Sequence, residues 1–190
     1  MQISHSYLIH LCVIRHLDEN AYSGKSERIA EMRFLRGYFF LDLKKWYKWI
    51  PYFDENATND SIAKIPNHPD TATNDLYKWQ NIYNDFAAAA NVLPATQSDF
   101  GRPTKYAAEG EMLQCLMWGA YEEDKNNNVV NINKERLSQA LPLADDIINS
   151  GQYSLAPDFA INFSMLTIIN HLNPFLNGNT HMMMVRQMAI

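Results

Sequence analysis

The stretch KSERIAEMRFLRGYFFLDLKKWYKWIP, residues 25–51, decides the fold. Ile29, Met32, Leu35, Phe39, Leu43 and Trp46 mark one helical face at spacings of three and four. Phe34, Tyr38, Phe40, Leu41 and Tyr47 carry apolar surface round the other sides. A helix apolar on most faces packs on several neighbours, so residues 25–48 read as the centre of a helical assembly. Pro51 ends it, because proline lacks the N–H and clashes with the preceding turn.

Working outward, residues 3–18 read as a short helix through Leu8, Leu11, Ile14 and Leu17. Residues 52–73, rich in Asn, Asp, Thr and Pro, read as a long loop. Leu76, Trp79, Tyr83, Phe86 and Ala90 then form a single apolar stripe over residues 74–91, with Thr73 or Asn74 as N-cap and Leu93-Pro94 as stop. A polar loop leads to Pro103, suited to a first helical turn. Residues 103–122 continue as a helix whose Ala107, Ala108, Gly110 and Gly119 permit close approach. Lys125–Asn128 is a turn. Residues 134–149 form another helix with Leu137, Leu141, Ala144 and Ile148 inward and Pro142 in its interior. Gly151 sits where a left-handed C-cap belongs. No convincing strand pair is found. The expected packing is two antiparallel pairs, 25–48 with 74–91 and 103–122 with 134–149, stacked as in tetratricopeptide-like solenoids.

Composition agrees. Of 190 residues 47% are hydrophobic, 12% aromatic and 19% charged, which excludes global disorder. Seven glycines and eight prolines are about 8% of the chain, below the roughly 12% of average usage, which disfavours a turn-rich sandwich. A net charge of −5 argues against a nucleic-acid binder that neutralises phosphates. Cys12 and Cys115 lie far apart with no CxxC or Cys/His cluster, which points to free core thiols rather than a zinc site. The start of the chain has no basic residue ahead of its apolar stretch, and Leu11 stands before Cys12 where a lipoprotein signal needs a small residue. No run of 18 apolar residues offers a membrane span.

Four strings together carry a resemblance. Ala30-Glu-Met-Arg-Phe-Leu-Arg-Gly37 with Tyr38-Phe-Phe and Ile50-Pro51 resembles the long-helix motif of the SusD/RagB family. Tyr77 to Asp85, with Ala87 and Leu93-Pro94, resembles its next helix. Gly101-Arg-Pro-Thr-Lys-Tyr-Ala-Ala108, with Met112-Leu113 and Tyr121, resembles its third motif. Ala140 to Ile148, followed by Ser150-Gly-Gln-Tyr-Ser-Leu155 and Asn162-Phe163, resembles its fourth. Their shared order and spacing make the combination specific.

The resemblance implies an all-α, tetratricopeptide-like, SusD-like fold of stacked helical hairpins. It implies a non-enzymatic lipoprotein on the outer face of the outer membrane of Bacteroidetes. Such a protein binds an oligosaccharide or other nutrient and caps a SusC-like TonB-dependent transporter, without cofactor or metal. Family members are much longer, so the expectation is a truncated chain: residues 1–163 as a partial SusD-like domain and 164–190 as a poorly matching tail, out of frame or from a truncated gene, with Met1 an internal start. A signal peptide and lipobox are absent from the sequence, so membrane attachment would need a lipid anchor this chain lacks. The glycine that usually precedes the helix-ending Ile-Pro is also missing; Lys48-Trp49 stand there.

Catalytic constellations are absent. Glu122-Glu-Asp124 and Asp145-Asp146 point in different directions on a helix and read as solvated surface. The six histidines show no metal spacing, and there is no phosphate loop or Gly-x-Ser-x-Gly elbow. Trp49, Tyr52 and Phe53, among the cluster of Trp46, Tyr47, Trp49, Tyr52 and Phe53, are the candidate glycan contacts. Sugar rings stack their C–H faces on aromatics while hydroxyls bond to Asn and Asp side chains. Burial of these rings beneath the loop is the competing and favoured reading. Arg36 and Arg102 are expected to tie helices together, with Gly101 and Gly151 as structural positions. The rival functions are a free-standing helical-repeat module that binds a peptide and, more distantly, a soluble enzyme.

Overall fold

A computed structural model describes residues 13–16, 23–58, 72–99 and 101–155. Two compact units are distinguished, Met1–Leu143 and Ala144–Ile190. Residues 13–16 are helical; the rest of the expected 3–18 helix, much of the 52–73 loop, the 163/164 boundary and the 164–190 tail lie outside the described residues.

Among the described residues the first unit is built chiefly on three long helices. They are α1 (Lys25–Tyr47), α2 (Ala72–Ala90) and α3 (Lys105–Ala120). A short antiparallel hairpin follows, β1 (Tyr121–Glu123) with β2 (Val129–Ile132). α4 (Lys134–Asn149) continues across the boundary into the second unit.

α1 and α2 run antiparallel, as their cross-links show. Lys44, near the end of α1, pairs with Asp75 at the start of α2, and Arg36 in mid-helix pairs with Asp85. α3 runs back along α2: Ala108, in its first turn, clusters with Ala89 and Leu93, and Gly119, in its last, lies against Trp79. Both main α-helical packings are therefore made by α2, which buries Trp79, Ile82, Phe86 and Ala89. Phe40, Leu41, Ile50, Phe53, Met112 and Cys115 complete the larger core cluster.

Several expectations are corrected in detail. α3 lies chiefly along α2 rather than pairing with 134–149; Arg136 of α4 does reach Gly119. Pro103 precedes the helix, and Thr104 is its N-cap, with Oγ1 accepting the Ala107 N–H at 3.2 Å. α2 already starts at Ala72, so Thr73 and Asn74 are helical rather than caps. The hairpin was not anticipated because its strands are three and four residues long. It folds because Asp124 Oδ1 accepts the Asn126 and Asn128 N–H groups and Asn127 takes φ +65.

The faces also shift. On α1 the buried positions are Ala30, Glu31, Arg36, Gly37, Phe40, Leu41 and Lys44, while Trp46 is 77% exposed. Polar residues occupy the interior because each finds a charged partner. On α4, Ala140 and Ile147 are buried, whereas Leu141 and Ile148, expected inward, are 65% and 71% exposed. Gly151 follows α4 at φ +66, a conformation that costs glycine least.

Close packing at Gly37 fixes the α1–α2 distance. A Cβ there would lie 3.0 Å from two ring carbons of the fully buried Phe86. Small residues at crossings let backbones approach; here the approach is filled by an aromatic ring rather than by backbone.

Candidate functional site

Two charged clamps hold the helices. Arg36 donates from Nε and Nη2 to Asp85 at 2.7 and 2.5 Å, a bidentate fork, and from Nη1 to Glu55. The Tyr52 hydroxyl donates to Asp85 at 3.3 Å. Burial alone would disfavour the guanidinium charge, but the Asp85 hydrogen bonds and charge hold Arg36 above its ordinary range. Burial likewise works against the Glu55 carboxylate, yet Arg36 and Arg33 keep it below the usual carboxylate range. The second clamp lies nearer the N-terminus of α1. Arg102 donates from Nη1 to Glu31 at 2.8 and 3.1 Å and from Nε to Asp99 at 2.9 Å. Gly101 precedes it at φ +87.

These clamps offer little for catalysis, since their charges are spent on one another. Cys115 is free and buried, and burial pushes its thiol up, away from the reactive thiolate. Among the described residues no group of three or more His, Cys, Asp or Glu side chains could hold a metal ion. No described helix is long and apolar enough to cross a membrane.

The candidate glycan contacts divide. Phe53 is 4% exposed and meets Phe40 edge-on at 5.5 Å. Tyr52 packs on Phe40 at 4.8 Å and its hydroxyl is engaged by Asp85. Phe53 belongs to the core, and Tyr52, half-buried, packs against it. Trp49 is half-buried, with the Lys48 ammonium 5.1 Å from its ring centroid.

The exposed aromatics lie elsewhere and share one location. Because α2 is antiparallel to α1 and α3, one end of the unit gathers the C-terminus of α1, the N-terminus of α2 and the C-terminus of α3. Trp46, Tyr47, Tyr77, Trp118 and Tyr121 are the largely exposed aromatic residues among those described, and all five belong to that end. The opposite end has none. Trp118 and Tyr121 were missed because sequence alone does not bring residues 46 and 118 together.

Polar links fix this end. Lys45 Nζ donates to Gln114 Oε1 at 2.5 Å, joining α1 to α3 one turn below Trp118. Lys48 spends its three donors on Glu123 Oε2, the Asp124 carbonyl and Asn127 Oδ1, at 2.8, 2.7 and 2.9 Å. Lys48 adopts φ +57, an unfavourable value for a side-chain-bearing residue. Its bonds to the hairpin stabilise that backbone and seat the hairpin beside the end of α1.

The architecture is that of a mostly α-helical, SusD-like fold. A crystal structure solved with a xylogluco-oligosaccharide aligns at a TM-score of 0.61 and 22% identity, covering 78% of this chain and 28% of that one. Surface glycan-binding protein A from Bacteroides uniformis aligns at 0.59 and 18% identity, covering 82% of this chain and 32% of that one. The chain thus spans about a third or less of the length of these structures. No family model and no curated protein matches it.

Proposed function

We propose that the chain is the helical-repeat part of a SusD/RagB-type, non-enzymatic glycan-binding component of an outer-membrane nutrient-uptake system. In this reading it works at the outer face of the outer membrane with a SusC-like TonB-dependent transporter, and the stacked helices supply scaffold and docking surface. The observation that carries the reading is the SusD-like arrangement of α1 to α3, the helices on which three of the four sequence motifs fall. The structural neighbours add support, since one was solved with a xylogluco-oligosaccharide and the other is a surface glycan-binding protein. The spent charges of both clamps and the inert Cys115 fit binding better than catalysis.

A glycan array probed with the 190-residue chain tests this. Selective retention on oligosaccharides is the expected result. Retention on no glycan, with enrichment of a peptide from a display library, would favour the free-standing interaction module instead.

A further inference from the structure

Five exposed aromatic residues at one end of a helical unit need a physical reason. An isolated exposed aromatic is ordinary; a set confined to one location marks a binding surface. The set comes from three helices and the start of β1, so the fold, not local sequence, assembles it. Trp46 is the most exposed of the five.

The polar groups among the rings indicate the ligand. Charges of both signs are interspersed here: Lys44 pairs with Asp75 and Lys48 with Glu123, Lys45 is held by Gln114, Arg136 lies against Gly119, and Glu122 accepts from Asn131 and Asn133. This leaves no strong field of either sign to select a charged partner. Gln114 and Asn127 each give their carboxamide oxygen to a lysine, which leaves the NH2 group to donate to a hydroxyl. The hairpin turn adds Asn126 and Asn128. Open ring faces set among fixed, neutral hydrogen-bonding groups and neutralised charges match a polyhydroxylated ring compound. A protein partner fits less well, because the cores of protein interfaces are depleted in Lys, Glu and Asp.

We propose that this end binds a neutral polysaccharide, whose pyranose faces stack on Trp46, Tyr47, Trp118 and Tyr121 while Gln114 and Asn127 donate to its hydroxyls. The assignment rests on the glycan-binding reading above and gives it a location. Phe53 is buried in the core and the Tyr52 hydroxyl is held by Asp85, so neither is included in the stacking set.

Affinity electrophoresis in native gels containing xyloglucan, mixed-linkage β-glucan or galactomannan tests the proposal, with an anionic pectin gel for comparison. The unchanged chain should be retarded in at least one neutral gel and not selectively in pectin. The variant W46A/Y47A/W118A should lose at least tenfold in affinity while keeping its melting temperature, because its side chains are exposed. Gln114→Ala, which leaves every ring in place, should weaken binding by a smaller factor. A triple variant retarded like the parent would overturn the assignment and leave the glycan-binding function standing. A variant that keeps retardation but loses capture of a protein would identify a protein-docking surface and also overturn it. A parent chain retarded in no gel would overturn the function and the site together.

Discussion

Replacing Arg36 with methionine should destabilise the first unit more than any other single surface-distant polar change. Methionine keeps much of the stem and removes the fork. Asp85, 4% exposed, would retain the Tyr52 hydroxyl at 3.3 Å, and Glu55 would retain Arg33 at 3.5 Å. Neither replaces a bidentate guanidinium. Breaking a buried pair by removing one partner costs about 3–5 kcal/mol, because the remaining charge stays buried. For a chain of this size each kcal/mol corresponds to about 2–4 °C, so Tm should fall by about 6–20 °C. Circular dichroism melts of the full chain measure this directly. The double variant R36M/D85L removes both charges and should recover a substantial part of the loss, since buried pairs replaced by apolar residues are often nearly neutral. A fall equivalent to less than about 1 kcal/mol, or a double variant whose losses simply add, would refute the clamp. The same clamp has a pH signature. Glu55 is held below its ordinary range, so its contribution is present above the unfolded value and is lost as pH falls through the folded one. The Glu55 share of the stability should therefore be lost below about pH 4, while Asp85, which burial holds above its ordinary range against the Arg36 hydrogen bonds, changes in the opposite sense; Glu55→Gln should remove the Glu55 slope and leave that of Asp85.

Three further predictions follow from single positions. Gly37→Ala should lower stability by about 1–2 kcal/mol, despite the better helix propensity of alanine, because the new Cβ meets the rigid Phe86 ring at 3.0 Å; an unchanged or raised Tm would show that α1 and α2 can separate freely. Lys48→Gly should relieve the φ of +57 but release the hairpin; amide exchange in 121–132 should accelerate, and unchanged protection there would count against Lys48 as the tether. Glu111 is buried with Oε2 unpaired, and burial raises its carboxyl above the ordinary range even though Lys45 opposes it. Its penalty is full above the folded value and fades as pH falls toward the unfolded one. Glu111→Gln should thus raise Tm at pH 7, with the gain vanishing below about pH 4; an equal gain at both pH values would contradict the assignment.

Helix positions were legible because punctuation was strong. Pro51, Leu93-Pro94 and Gly151 bracket the elements, and α4 spans the expected residues 134–149. The inward faces were less legible. α1 is apolar nearly all round, so periodicity could not choose a side, and Glu31, Arg36 and Lys44 are buried by partners 31 to 71 residues away. α2 had a clean stripe, yet Ile82 and Ala89 joined it once α3 packed on the second flank. The hairpin had a signal in the β-branched Val129, Val130 and Ile132 beside an Asp/Asn turn, but its strands were too short to register. The site was half visible. The aromatic cluster after Leu43 was evident, but Phe53 turns inward while Trp118 and Tyr121 arrive from the far end of α3. Only the antiparallel path of α2 brings those two ends together.

Isothermal titration of the 190-residue chain with a xylogluco-oligosaccharide and a panel of other neutral oligosaccharides tests the central claim most directly. The account predicts saturable binding to at least one of them, lost in W46A/Y47A/W118A. Absence of heat with every oligosaccharide, from a chain whose melt shows it folded, would contradict it.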